Sequence, residues 1–110
     1  MRLPNGENAD LGSKLEEYSL NFEHRQGKHK AFVFASALGI TLSNAHVLRH
    51  ALQSAAATSE AAIHKGHNGF GATFQLDFSL TTSSGTATVV SGWIIRDGEN
   101  FPRLVTCFIF

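Results

Sequence analysis

"ATFQLDFSL", residues 72–80, sets Ala72, Phe74, Leu76, Phe78 and Leu80 against Thr73, Gln75, Asp77 and Ser79. Successive side chains leave a strand on opposite sides, so a period of two describes a strand with one dry face and one wet face. A helix would smear the same residues around its circumference. Downstream the pattern repeats. "TTSSG" (81–85) reads as a turn, and "TATVVSGWIIR" (86–96) as a second strand with Ala87, Val89, Trp93 and Ile95 on one side. Gly92 inside that strand predicts a bulge or a close backbone approach. "DGENFP" (97–102) turns again and "RLVTCFIF" (103–110) forms a third strand. So apolar an end segment is an aggregation hazard when exposed; it is expected at the centre of the sheet or paired across a homodimer interface. The wet face then carries Thr73, Gln75, Asp77, Thr88, Arg96, Arg103 and Thr106.

Upstream of Gly71 the period is helical. "SKLEEYSLNF" places Leu15, Tyr18 and Phe22 at helical spacing, with Ser13 and Glu16 as a capping box, and predicts a helix over 13–21. "KAFVFASALG" predicts a second helix over 29–38, closed by Gly39; apolar nearly all round, it is expected to be the most buried. "TLSNAHVLRHALQSAAA" starts a third at Thr41 or Ser43, with Ala45, Leu48 and Leu52 on one face. "ATSEAAIHKGHNG" reads as a loop. Helices first and strands afterwards give an α+β fold: three N-terminal helices packed on one face of a three-stranded antiparallel meander. We expect one domain over 1–110, helical over 13–58 and sheet over 72–110.

Nine Lys and Arg balance nine Asp and Glu. This argues against broad, nonspecific nucleic-acid binding, which calls for a strongly basic domain, but not against a local phosphate site. The single cysteine, Cys107, cannot form an internal disulfide and reads as a buried thiol. No apolar run approaches the ~18 residues of a membrane span, and "MRLPNGENAD" lacks the apolar segment of a secretory signal. A cytoplasmic setting is expected, or delivery as part of a larger secreted protein.

Against this neutral background "HRQGKHK" (24–30) gathers His24, Arg25, Lys28, His29 and Lys30 around Gly27. Free N–H groups and the helix dipole favour an anion where the second helix begins. Gly27 would allow close backbone approach, Arg25, Lys28 and Lys30 would cradle a phosphate, and His24 or His29 could move a proton near neutral pH. The competing reading is a solvated basic loop. His46 and His50 are four apart on the third helix, a metal-sharing spacing, but lack the Glu of a zinc protease motif and any obvious third ligand. "GFGATF" (69–74) lacks the Lys-Ser/Thr ending of a phosphate loop and precedes a strand. No metal or cofactor is expected.

"LPNG" (3–6), "KLEEYSLN" (14–21), "HRQGKHKA" (24–31), "FASALG" (34–39) and "PRLVTCFIF" (102–110) together resemble an uncharacterised bacterial domain of unknown function. Its members are short stand-alone proteins and C-terminal pieces of large surface or polymorphic-toxin proteins. In the family pattern a proline follows the first histidine; here Arg25 stands there and Gln26 precedes the glycine. Helices followed by a sheet that closes on an L-V-T strand are also distantly similar to the barnase/colicin/RelE-like ribonucleases. That likeness implies metal-free RNA cleavage using the 2′-hydroxyl. His24 or His29 would be acid or base, Arg25, Lys28 and Lys30 phosphate ligands, and Arg103 and Thr106 further contacts from the last strand. The partner is then RNA. The alternative is a non-enzymatic binding protein, of immunity or regulatory type, that covers a protein partner.

Overall fold

The period-two stretch is the middle of a long strand. In the computed structural model, which describes residues 1–25 and 27–110, β2 spans Gly71–Thr82 and pairs antiparallel with β3, Gly85–Arg96, from Gly71↔Arg96 to Thr82↔Gly85. β3 pairs antiparallel with β4, Arg103–Ile109. The register slips at Gly92/Trp93, so the expected irregularity at Gly92 is a bulge in the β3–β4 ladder.

Two expectations about the sheet are corrected. A fourth strand, β1 (Ile63–His67), lies within the segment read as a loop and pairs antiparallel with β2, giving the order β1-β2-β3-β4. Every residue of β1 except Gly66 is exposed, so no dry face imprinted a period on its sequence. β4 is an edge strand and not a central one. Its outer edge is partly covered: Asp10 N–H donates to Pro102 O and Leu104 N–H to Asp10 O, both at 2.9 Å.

The helical half also departs from expectation. Two α-helices form, α1 (Lys28–Leu38) and α2 (Ala45–Thr58). The segment expected to be a helix over 13–21 makes one π-helical turn, Leu15–Ser19, closed by Leu20 N–H on Leu15 O at 2.8 Å. Ser13 does not cap it, and Glu16 instead takes two hydrogen bonds from Arg49 Nη2 on α2, at 2.7 and 2.9 Å. The capping box is found farther on, between Thr41 and Asn44, where a 3₁₀ turn leads into α2. Gly39 closes α1 in the left-handed region, at φ 65°.

One buried cluster joins Leu15 and Leu20 of the π-turn, Phe34 and Leu38 of α1, and Leu48, Leu52 and Ala56 of α2 to the sheet. The sheet contributes Phe74, Leu76, Val89, Trp93, Leu104 and Cys107. α1 is not the most buried helix: only Ala31, Phe34 and Leu38 are buried, while Phe32 is 64% and Val33 40% exposed. Apolar content all round the helix reflects a second apolar surface, not a second buried one. Leu52→Ala should therefore cost about 2–5 kcal/mol in urea unfolding, and Phe32→Ala no more than about 0.5 kcal/mol. Equal losses would contradict this placement of α1.

Candidate functional site

The basic stretch folds as a tight turn leading into α1. Gln26 lies outside the described residues. His24 O accepts from Lys28 N–H at 3.0 Å, and His24 Nδ1 accepts from Gly27 N–H at 3.0 Å. Two amides that an anion at this helix start would use are thus held by His24. Gly27 is buried, and a Cβ built there would stand 2.2 Å from Tyr18 O. Its lack of a side chain serves the packing of its own backbone on the π-turn.

That contact draws five side chains into a chain of contacts. The rings of Tyr18 and His24 meet edge to face, with centroids 4.5 Å apart. Lys30 Nζ lies 4.8 Å from the Tyr18 ring centroid and 5.6 Å from that of Phe108 on β4. The same ammonium donates to Thr106 Oγ1 at 2.9 Å. The register pairs Thr106 with Gly92, so both lie on the sheet face turned away from the buried cluster. A Cβ at Gly92 would stand 3.2 Å from Thr106 Cγ2. The bulge beside a glycine leaves the space that Thr106 occupies.

Lys30 is half-buried, and among the described residues no carboxylate comes within ion-pair distance of it. Its neighbours are a hydroxyl and two ring faces, which satisfy the ammonium without neutralising it. His29 and Lys30 border a shallow hollow of about 200 Å³ with Val33, Phe108 and Ile109. Arg25 and Lys28 are exposed on the turn and the helix start.

Arg103 stands elsewhere. Its guanidinium donates to both oxygens of Glu99, at 2.9 and 2.8 Å, and to Asp10 Oδ2 at 3.2 Å, and lies 4.9 Å from the Phe101 ring centroid. The Glu99 hydrogen bonds hold that carboxyl below the usual range and raise the guanidinium. Of the positions expected to hold phosphate, Thr106 joins Lys30, whereas Arg103 is occupied by two carboxylates. Tyr18 was missed in the sequence; its spacing from Leu15 marked it as a core residue. His46 and His50 are exposed on α2, and among the described residues no three His, Cys, Asp or Glu side chains gather where a metal could sit.

The family model for a domain of unknown function, DUF6883, matches residues 2–110. The chain belongs to the DUF6883 family. Neither a curated protein nor a solved structure matches it. Within this DUF6883 domain the thiol lies beneath the site and is buried. Desolvation pushes Cys107 up to about 12, against the opposing effects of the Lys30 charge and the Ser19 hydroxyl. The unfolded thiol ionises near its ordinary value of 9.0, so above that pH the unfolded chain sheds a proton that the folded chain keeps. From about 9 to about 12, stability should fall with rising pH by up to about 1.4 kcal/mol per unit from this group. Denaturant midpoints of wild type and Cys107→Ala measured across this window should converge as pH rises. A constant gap would show that the thiol is not so shielded.

Proposed function

We propose that this domain is a small metal-independent endoribonuclease whose reacting phosphate binds at Lys30. One observation carries the reading: a half-buried ammonium, with no carboxylate at ion-pair distance among the described residues, is fixed by Thr106, Tyr18 and Phe108 next to two histidines. Such a charge is ready for an anion, because its own desolvation is already met while its charge is not. The distant resemblance to metal-free ribonucleases supplies the reaction class.

In that reaction the ribose 2′-hydroxyl attacks the adjacent phosphorus as a base removes its proton. The bond to the 5′-oxygen breaks, that oxygen takes up a proton, and a 2′,3′-cyclic phosphate is left. Lys30 would stabilise the charge that builds on the phosphate oxygens, with Thr106 holding the ammonium. His24, whose Nδ1 accepts the Gly27 N–H and whose ring meets Tyr18, would serve as acid or base beside the phosphate. His29, exposed beside Lys30, suits proton transfer. Arg25 and Lys28 would attract the substrate without positioning it. Gly27 holds the turn closed.

A specific observation favours the second reading, a protein-binding module of immunity or regulatory type. α1 exposes Phe32 and Val33 beside the apolar hollow that Phe108 and Ile109 line. The two readings part in one experiment. Purified protein incubated with total RNA in EDTA should yield cyclic-phosphate ends. Lys30→Ala, His24→Ala and His29→Ala should each lower the rate about 10²–10⁴-fold, with His29→Ala also flattening the pH–rate profile. Phe32→Ala should cleave like wild type. Failure of the wild type to cleave any RNA, with its fold intact, would sink the nuclease reading and leave the binding module.

A further inference from the structure

A second hollow lies apart from Lys30. It has a volume of about 560 Å³ and is lined by Lys14, Asn68, Phe70, Ile94, Arg96, Asp97, Arg103, Leu104 and Val105, within the range of pockets that bind small molecules. It opens on the sheet face that carries Thr106, since Ile94 pairs with Arg103 and Gly92 with Thr106. Along β4 the step from Arg103 to Thr106 is about 10 Å.

Phe70 stands at this hollow with 75% of its surface exposed, yet the loop bearing it is held rigidly. Asn68 Oδ1 accepts from the amides of Phe70 and Gly71, at 2.9 and 3.2 Å, and Asn68 N–H donates to Gly71 O at 3.2 Å. His67 Nδ1 accepts from Gly69 N–H at 3.0 Å while Nε2 donates to Asp97 at 2.9 Å. Asp97 N–H closes the loop on Phe70 O at 2.9 Å. Gly71 admits no side chain, because a Cβ there would stand 2.2 Å from Ile95 O. A large ring presented to water on a backbone this constrained loses little entropy when something stacks on it.

The charges of the hollow are unequal in availability. Arg103 is taken by Glu99 and Asp10, and Asp97 is held by His67. The side chains of Lys14 and Arg96 form no hydrogen bond or ion pair among the described residues, although the Arg96 charge helps to hold the Glu99 carboxyl below its usual range. An adjoining hollow of about 210 Å³ is lined by Asp10 and Glu17 as well as Lys14, Arg96 and Arg103. Its carboxylates repel an anion, which confines a phosphate to the larger one.

We infer that this hollow binds single-stranded RNA beside the cleavage site, stacking a base on Phe70 and holding its phosphate between Lys14 and Arg96. The inference rests on the ribonuclease reading for the identity of the strand. Aromatic stacking with nearby cations is the general means of holding unpaired strands with little regard to sequence. One strand running along the exposed face of β4 would touch both Lys30 and Phe70, which makes the substrate an unpaired segment of several nucleotides.

Binding can be measured apart from cleavage with a fluorescein-labelled 2′-O-methyl RNA 12-mer, which lacks the attacking hydroxyl. In fluorescence anisotropy, Phe70→Ala should weaken binding about tenfold, within the span a stacked base contributes. The Lys14→Ala/Arg96→Ala double variant should weaken it and lower the salt slope by about 0.7, the amount for the one phosphate they hold. A blunt duplex of the same length should bind more weakly than the 12-mer. Both variants change exposed side chains, and circular dichroism checks that they fold. Unchanged affinity in both variants overturns the inference, as does absence of wild-type binding at low salt or equal preference for the duplex. If the wild type cleaves RNA and the variants bind normally, the hollow fails and the catalytic reading stands. If the variants lose binding but the wild type cleaves nothing, the nuclease reading fails and the RNA-binding hollow stands.

Discussion

Between Gly27 and the Tyr18 carbonyl there is no room for a side chain. That backbone contact ties the π-turn to the first turn of α1, and the site exists only because the two are joined. It brings the Tyr18 ring against both His24 and Lys30. A regular α-helix over 13–21 would carry its residues past one another at 3.6 per turn. The π-turn, with its extra residue, instead buries Leu15, Ser19 and Leu20 together and leaves Tyr18 half-exposed toward α1. Single π-turns recur at functional sites for this reason: the inserted residue redirects a side chain without breaking the backbone ladder.

The two cations offered by the last strand and by α1 illustrate how environment separates residues of like charge. Arg103 has a planar fork that two carboxylates fill. It closes the Glu99 turn and ties the Asp10 segment to the start of β4. Lys30 has a compact ammonium that two ring faces and one hydroxyl satisfy without cancelling it. The first is a structural ion pair, the second a charge in waiting. Nothing in the bare sequence separates them, because both are basic residues beside aromatics.

What the sequence made legible follows from how strongly burial patterned it. β2 packs one face into the cluster and leaves the other wetter, so its alternation could be read to within a residue or two; β3 could be bounded as closely, although Val90 and Ile94 on its other face are buried as well. α2 shows Ala45, Leu48, Leu52 and Ala56 along one buried stripe and was equally plain. β1 was invisible because it is exposed on both faces and carries the irregularity at His64/Gly66. α1 misled because apolar residues on its outer side, Phe32 and Val33, are chemically indistinguishable from those it buries. At the site, composition revealed the cluster of histidines and cations, and the L-V-T ending brought in Thr106. The contact between Lys30 and Thr106 spans 76 residues, and no local pattern encodes it. Tyr18 could have been found only by recognising that Leu15, Ser19 and Leu20 follow a five-residue step.

The two edges of the sheet differ in composition and cover, and this bears on how the molecule presents its functional face. β1 is short, twisted by its irregular register and lined with His64, Lys65 and His67, the features with which exposed edges discourage association. β4 is apolar and is guarded by the protein itself. At its start Asp10 N–H donates to Pro102 O and Asp10 O accepts from Leu104 N–H, and the Ser19 hydroxyl donates to Cys107 O at 3.3 Å. The residue that guards the Cys107 carbonyl belongs to the same π-turn that sets Tyr18 under Lys30. Covering the edge and building the site are therefore one structural act: the segment that covers part of β4's outer edge also brings the Tyr18 ring against Lys30, whose ammonium donates to Thr106. A chain that lost the π-turn would expose the strand edge and disperse the site together.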